Sequence, residues 1–370
     1  MELGGNVNIL QGNNGQGKTN IIEAISCLCL TRSFFAASDT TLVQLGQGGF
    51  VVEGLLANDA GLGHRIRVAY SRETGEKVFD VDGVRLEKLS SVIGMFPVVV
   101  LAPEGNAITF GAPADRRRFM DLVLSQLSRT YFDDLLEYRQ VLRQRNRILG
   151  EARQGKSLRD EILDPWNRNL AAYGARIMSR RKEFLREFAP YVAQAYADMA
   201  TTREEPGMQY SSDPSIELDE DIGQIADRIH AELKEKGPEE LRRGLSLVGP
   251  HRDDVVFHLH GLDLRKYASQ GQHKTFLIAL KIAEFRYLKE KREETPILLL
   301  DDVLSELDDD RAGRLLTRVA DLGQTVVTTT QEAPFRDALR WGAENRRFFV
   351  EEGTCRPFTF NHVKETAPGI

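Results

Sequence analysis

The stretch Gly12-Asn13-Asn14-Gly15-Gln16-Gly17-Lys18-Thr19 sets a lysine and a hydroxyl behind three glycines, fitting G-x-x-x-x-G-K-[ST] at every fixed position. That spacing suits phosphate chemistry. Glycines let the backbone curl so that several N–H groups point at one anion, and a helix starting near Lys18 adds its positive dipole end. Lys18 would reach the β- and γ-phosphates of a nucleotide, and the Thr19 hydroxyl would ligate Mg²⁺. Far downstream, Pro296-Ile297-Leu298-Leu299-Leu300 ends in two carboxylates, Asp301 and Asp302. A carboxylate at the end of a central strand lies beside the phosphate loop in such sheets. Asp301 can therefore hold Mg²⁺ while Asp302 orients or deprotonates the attacking water. Ala268-Ser269-Gln270-Gly271-Gln272 opens a helix and offers a second anion-binding end, with a plain capping role for Ser269 as the alternative.

These residues need a sheet and helices to hold them. Val7-Asn8-Ile9-Leu10 suits a short buried strand, and Asn20 to Leu30 carry apolar side chains at helical spacing, so the loop sits between strand and helix. Residues 31 to 101 read as β-rich, with strands expected at Phe50–Leu56, Arg65–Ser71, Lys77–Val81 and Phe96–Leu101 and a hairpin turn at Asp82-Gly83. From Gly111 to Gly244 the pattern becomes helical: Arg116–Leu127, Tyr131–Leu149, Pro165–Phe188 and Ile222–Lys236. Beyond Leu245 strands and helices alternate again, with strands at Val255–His260, Ile297–Leu300 and Thr325–Thr329 and helices from Ser269 to about Glu290 and after Asp309. The expected division is 1–110 and 245–370 as two parts of an ATPase head, with 111–244 as an inserted helical segment that binds DNA or a partner.

At 370 residues, 41% hydrophobic and 28% charged, the chain has the composition of a globular protein with room for two domains. Its cysteines, Cys27, Cys29 and Cys355, have no metal-ligand spacing and read as reduced thiols, which points to the cytoplasm. No apolar run is long enough to span a bilayer, so no membrane partner is expected. A net charge of −6 gives no global attraction to nucleic acid, and any DNA surface has to be local.

Together the three motifs resemble the ATP-binding-cassette heads of the SMC group, in which phosphate loop, serine-glycine signature and Walker B strand form a composite dimer site. Ser305-Glu306-Leu307-Asp308 is similar to the D-loop that crosses the interface of those heads. Gly15 to Asn20 with Glu23-Ala24, Gly249-Pro250-His251-Arg252-Asp253-Asp254, Ser269-Gln270-Gly271-Gln272 and Leu299 to Asp308 resemble the RecF family of bacterial recombination mediator ATPases. Arg116-Arg117-Arg118-Phe119 with Asp121 and Tyr173-Gly174-Ala175-Arg176 extend the likeness to nearly the whole chain. The resemblance implies an α/β fold, an ABC-type P-loop ATPase head with an inserted all-helical domain. It implies ATP and Mg²⁺ held by Gly12, Asn13, Asn14, Gly15, Gln16, Gly17, Lys18, Thr19 and Asn20. Ser269, Gly271 and Gln272 of a second subunit would complete the site, with Ser269 and Asp308 at the dimer interface. It further implies an ATP-dependent homodimer on gapped or double-stranded DNA, with RecR and RecO as partners that help RecA replace single-strand-binding protein.

The sequence departs from the pattern in places. Only eleven residues precede Gly12, where the family has a further strand and an Asn-Phe-Arg-Asn-like segment, so a shortened start is the expectation. Compared with ordinary cassette ATPases, Gln270 replaces a glycine, Asp302 a glutamate base and Gln331 a switch histidine. An aspartate is one methylene shorter, and slow hydrolysis is expected. For DNA, Arg139, Arg143 and Arg147 at i, i+4, i+8 make a basic stripe, with Arg145 to its side. Arg116–Arg118, Arg176, Arg180, Arg181 and Lys182 add positive charge, although acids nearby offer pairing as the alternative. The expected contact is to phosphates, independent of base sequence. A nucleotide-binding transporter subunit shares these motifs, but the 251 positions from Lys18 to Ser269 exceed what a compact subunit uses. A P-loop kinase or nuclease would leave signature and D-loop unexplained. In Gly249–Asp254 no nucleophile accompanies His251; Arg252 and the two aspartates are family-marked residues whose role is left unassigned, a tie between insertion and head being one reading.

Overall fold

A computed structural model describes residues 1–31, 38–88, 91–155, 160–200, 204–217, 219–307, 309–330 and 343–358. Strand β1 (Val7–Gln11) leads through the glycine-rich loop into α1 (Lys18–Leu30) and the short α2 (Asp39–Leu42). Strands β2 (Gly49–Ala57), β3 (Gly63–Ser71), β4 (Lys77–Val81), β5 (Val84–Arg85) and β6 (Val98–Leu101) follow. Helices then take over in α3 (Ala107–Phe110), α4 (Pro113–Leu127), α5 (Arg129–Arg153) and α6 (Asp160–Met199). Strand β7 (Pro206–Ser211) precedes α7 (Ile222–Glu235) and α8 (Gly237–Arg243). Next come β8 (Asp254–Leu259), β9 (Leu262–Asp263), α9 (Leu264–Tyr267) and α10 (Gln270–Arg292). The last described elements are β10 (Ile297–Leu300), α11 (Asp309–Ala320), β11 (Thr325–Thr329), β12 (Arg346–Glu351) and β13 (Thr354–Pro357).

The chain forms two compact units. The first comprises residues 1–25, 100–103 and 297–370. Its sheet runs β13-β12-β1-β11-β10-β6, with β1 parallel to both β11 and β12 and β10 parallel to β11. Strands covered on both faces read as continuous apolar runs, and Val7, Ile9 and Leu10, Leu298–Leu300, Val326 and Val327 are all buried. The only polar side chain inside β1's buried run is Asn8. Its Oδ1 accepts from the Gly4 N–H at 2.7 Å and its Nδ2 donates to the Gly4 carbonyl at 2.9 Å, which satisfies the amide.

The second unit comprises residues 26–99 and 104–296. Its antiparallel sheet β2-β3-β4-β5 alternates, with Ile66 and Val68 buried and Arg65 and Arg67 facing Glu53 and Asp80 across the strands. Asp82 and Gly83 both take positive φ, as a two-residue hairpin turn requires. The 40-residue α6 packs along α10, α5 and α7. Phe184, Phe188, Tyr191 and Tyr287 fill the α6–α10 contact with edge and stacked ring pairs. Asp221 caps α7 by accepting from the N–H groups of Gly223 and Gln224, and Ile225, Ile229 and Leu233 form its buried stripe. Residues 111–244 are not wholly helical: β7 pairs antiparallel with β8, which pairs with β9. Cys27 and Cys29 are buried thiols outside any disulfide, and burial pushes the Cys29 thiol up to about 12.

Candidate nucleotide-binding site

Gly12 leaves β1 where no side chain fits, because a Cβ there would lie 2.2 Å from the Val350 carbonyl oxygen. Gly15 and Gly17 have φ of 79° and 97°, the left-handed region that glycine enters freely. Asn13, Asn14 and Gly15 are exposed, so the curl of the loop faces solvent. The turn between β12 and β13 grips the loop from the far side. The Glu352 N–H donates to Gln16 Oε1 at 2.7 Å and the Gly353 N–H to the Gln16 carbonyl at 3.0 Å. Lys18 begins α1 and is 7% exposed; its Nζ donates to the carbonyls of Gly12 at 2.7 Å and Asn13 at 2.8 Å. Thr19 and Asn20 follow in the first turn of α1.

The same unit supplies the carboxylates. Asp301 directly follows β10 and is 6% exposed, its N–H donating to the Leu101 carbonyl at 2.9 Å. Thr328 on β11 links both acids: its hydroxyl donates to Asp301 Oδ1 at 2.6 Å and accepts from the Asp302 N–H at 2.8 Å. Asp302 takes a left-handed conformation with φ 48°, which turns the chain into the 3-10 turn Val303–Glu306. Burial pulls the Lys18 ammonium below the usual lysine range, and Asp302 and Asp301 push it back up. Lys18, Asp301 and Asp302 are thus within one another's field. Among the described residues, neither the Thr19 hydroxyl nor the Asp302 carboxylate makes a hydrogen bond, so both keep capacity for a ligand. A hydroxyl and a carboxylate are the hard oxygen donors that Mg²⁺ takes beside substrate phosphates, and the glycine cradle admits an anion, so the residues fit both groups. Thr328 is a supporting residue that sequence reasoning missed, as is the Glu352-Gly353 turn.

Ser269, Gly271 and Gln272 lie in the second unit, at the start of α10. Here the capping alternative is realised. Ser269 Oγ accepts from the Gln272 N–H at 3.2 Å, and Gln272 Oε1 accepts from the Ser269 N–H at 2.7 Å. The Gln272 amide also donates to Glu204 at 2.8 Å, which leaves it less free than the sequence implied. Ser269 remains exposed. Asp308 and Gln331 lie outside the described residues.

The basic stripe divides. Arg143 is exposed, Arg139 pairs with Asp121 at 3.3 Å, and Arg147 pairs with Glu151 at 3.2 Å while remaining 74% exposed. Arg145 is not beside the stripe but inside the unit, donating to Asn167 Oδ1 and Ser246 Oγ, each at 2.7 Å, and paired with Glu240. For Arg116, Arg176 and Arg181 the pairing alternative is realised, since each is held by acids. Arg116 makes a two-pronged pair with Asp254 at 2.7 and 2.8 Å, and Arg176 pairs with Asp134 at 2.7 Å. Arg181 is buried, donating to Asp121 at 2.8 Å, to the Pro250 carbonyl at 2.7 Å and to Asp253. Gly249–Asp254 therefore ties itself to α4, α5 and α6. His251 completes the tie, its Nδ1 accepting from the Tyr138 hydroxyl at 2.6 Å and its Nε2 donating to the Ser246 carbonyl at 3.1 Å. Burial pulls this imidazole down to about 4, so it is a neutral structural group.

Residues 1–354 match the model of the RecF/RecN/SMC N terminal domain. The chain is similar to the DNA replication and repair protein RecF of Chloroherpeton thalassium, 43% identical over 90% of each chain. It is 39% identical to the protein of that name from Salinibacter ruber, over 91% of this chain and 82% of the other. Among solved structures, the recombination mediator protein RecF-ATPrS in the RecFOR pathway superposes with a TM-score of 0.88 at 30% identity, covering 97% of this chain and 94% of that one. An SMC head bound to the C-winged helix domain of ScpA shares the fold alone, with a TM-score of 0.52 at 13% identity. These relatives leave the transporter alternative without support. With the glycine cradle, the paired aspartates and a family model spanning nearly its whole length, this chain belongs to the RecF family of SMC-like ABC ATPases.

Proposed function

We propose that this chain is a cytoplasmic, ATP-dependent DNA-binding protein of replication and recombinational repair that works as a clamp. ATP closes a homodimer on double-stranded or gapped DNA, and slow hydrolysis releases it. The observation that supports this best is the convergence of Lys18, Thr19, Asp301 and Asp302 in one compact unit, while the serine-glycine turn belongs to the other. Lys18 would exchange its two loop carbonyls for the β- and γ-phosphates, and Thr19 and Asp301 would hold Mg²⁺. Bound Mg²⁺–ATP supplies the phosphoanhydride bond whose cleavage resets the clamp. Asp302, with its carboxylate unengaged, would orient the water. Ser269 and Gly271 of the second subunit would meet the γ-phosphate, with Asp308 beside them at the interface. Residues 111–244 would serve DNA and partners, with Arg143 exposed and, unlike Arg139 and Arg147, in no ion pair among the described residues. A relative named for the RecFOR pathway supports RecR and RecO as partners, and RecA loading is the outcome that the motif resemblance implies.

Light scattering of the purified protein with ATP, with and without gapped duplex DNA, tests this reading. ATP-dependent dimerisation promoted by DNA is expected, and a permanent monomer with unaltered DNA affinity would sink it. The Ser269→Arg variant should bind ATP and remain monomeric. If it dimerises with ATP, the signature does not act in trans.

A further inference from the structure

Arg139 is held by Asp121, but further along α5 the arginines stand open where that helix meets α8. Three contacts join the two helices there. Arg153 donates to the Arg243 carbonyl at 3.2 Å, a Cβ on Gly244 would lie 3.5 Å from the Gly150 Cα, and Asn146 Oδ1 accepts from the Ser246 N–H at 2.7 Å. They set the stretch of α5 that holds Arg147 and Arg153 alongside the end of α8 that holds Arg242 and Arg243. Arg143 lies one turn back from Arg147 on the same face.

All five side chains reach solvent: Arg143 and Arg153 are exposed, and Arg147, Arg242 and Arg243 keep 74%, 77% and 52% of their side-chain surface. Among the described residues two carboxylates pair with them. Arg147 meets Glu151 at 3.2 Å, and Glu239 is shared between Arg243 at 2.5 Å and Arg242 at 3.9 Å; Arg143 and Arg153 are in no ion pair. Exposed pairs of this kind hold weakly, and Arg147 precedes Glu151, the less favourable order on a helix. Another anion can displace those acids at little cost.

The same corner is poor in apolar surface. Across 139–153 and 237–246 the large apolar side chain that stands exposed is Leu245, at 39%. At roughly 1.5 Å per residue the span from Arg143 to Arg153 is about 15 Å long, and at roughly 3.4 Å per step one strand of a duplex sets about four phosphates along it. Guanidiniums spread over that length, without an apolar wall beside them, suit a repeating polyanion better than a single small anion or an apolar-anchored peptide.

We infer that the α5–α8 corner is the surface through which this chain holds the backbone of duplex DNA, with Arg143, Arg147, Arg153, Arg242 and Arg243 as its phosphate contacts. The inference rests on the DNA-binding reading above and names the residues that carry it. Phosphates take the place of Glu151 and Glu239 at Arg147, Arg242 and Arg243 and meet Arg143 and Arg153 directly. Such contact is blind to base sequence and steeply dependent on salt. Arg153, Arg242 and Arg243 lie in the last turns of their helices, where a cation also complements the helix dipole. That role shows in stability and leaves DNA affinity alone.

The test follows the anisotropy of two fluorescein-labelled duplexes of about 30 bp and unrelated sequence, mixed with the full chain and ATP at salt from about 50 to about 200 mM. The parent chain should bind both alike. The triple variant Arg153→Gln, Arg242→Gln, Arg243→Gln should weaken both equally and lower the salt slope by about 2.7, at about 0.9 per phosphate contact, so its deficit is about 40-fold wider at the low-salt end than at the high. Lysine at the same three positions should restore most of the slope. Because Arg153 also holds a backbone carbonyl, the pair Arg143→Gln and Arg242→Gln, which removes no backbone contact, gives a second reading: its slope should fall by nearly 2 with an unchanged urea midpoint. Arg72→Gln, exposed beyond β3, should leave the slope as it is. If the parent binds and both sets of variants bind as it does, the inference is overturned while the DNA reading stands; a lowered urea midpoint would then mark these arginines as helix-end supports. An equal fall per charge for Arg72→Gln also overturns it, because positive charge anywhere would serve. A parent chain that binds neither duplex overturns the reading and the inference together.

Discussion

In the first unit Lys18 faces Asp301 and Asp302; in the second, Arg181 faces Asp121 and Asp253. Both are a buried cation with two aspartates, yet they differ in what is left over. Around Lys18 the ammonium holds two carbonyls, while the Thr19 hydroxyl and Asp302 carboxylate hold nothing among the described residues. Around Arg181 the groups are tied to one another: Asp121 also accepts from Tyr131, Asp253 from Tyr210, and the guanidinium reaches the Pro250 carbonyl. Spare bonding capacity beside a glycine cradle makes a site for a ligand. Near-saturation makes a strut. One atom of the strut stays unsatisfied, Asp253 Oδ1, and burial pushes that carboxyl up to about 6.

Three variants break or sharpen this contrast. Arg181→Met should do the most damage, since it leaves two buried carboxylates without their cation and should cost about 3–5 kcal/mol in urea unfolding. A loss near zero would mean that Arg181 is not a strut. Lys18→Met should behave oppositely, with stability changed by less than about 1 kcal/mol because desolvation of the ammonium is relieved. Its ATP affinity should nevertheless fall on the order of 100-fold for the loss of charged phosphate contacts. Equal damage to folding and binding would erase the distinction between the regions.

The smallest effect concerns pH. His251 is pulled from 6.5 to about 4, so between those values the unfolded chain takes a proton that the folded one refuses, and stability falls as pH drops. Asp253 is raised from 3.8 to about 6, so there the folded chain keeps a proton that the unfolded one releases, and stability falls as pH rises. The two trends oppose each other across their overlap. His251→Asn should leave the Asp253 trend alone, gaining on the order of 2 kcal/mol relative to the parent as pH falls from 6.5 to 4. Thermal melts across that range check it, and parallel profiles would show that His251 is not held neutral.

Much of the first unit was legible because its signals are local. The glycine loop, the Ile297–Leu300 strand and the Thr325–Thr329 strand stand where glycine spacing and apolar runs put them. Strands β7, β12 and β13 were not read, because Arg346-Arg347-Phe348-Phe349-Val350-Glu351 and Pro206–Ser211 mix polar and apolar residues and owe their form to distant partners. In the site, the motif residues were legible and their supports, Thr328 and Glu352-Gly353, were not. The charges misled most: a formal charge reads as surface, and only the fold shows Arg116, Arg145 and Arg181 buried. For Arg145 a signal existed. It falls on the α5 stripe of Tyr131, Leu135, Tyr138, Val141 and Leu149, all buried.

The grip of the β12–β13 turn on Gln16 sets an order of assembly. Glu352 and Gln16 are 336 positions apart, and β1 has its two neighbours, β11 and β12, only after residue 325. In a growing chain the phosphate loop precedes the turn that grips it by 336 positions and waits for β11 and β12 before its sheet can close around it. A nascent or truncated chain lacking residues 346–357 would carry every motif residue without the turn that grips Gln16, so nucleotide binding reports that synthesis has passed β12 and β13.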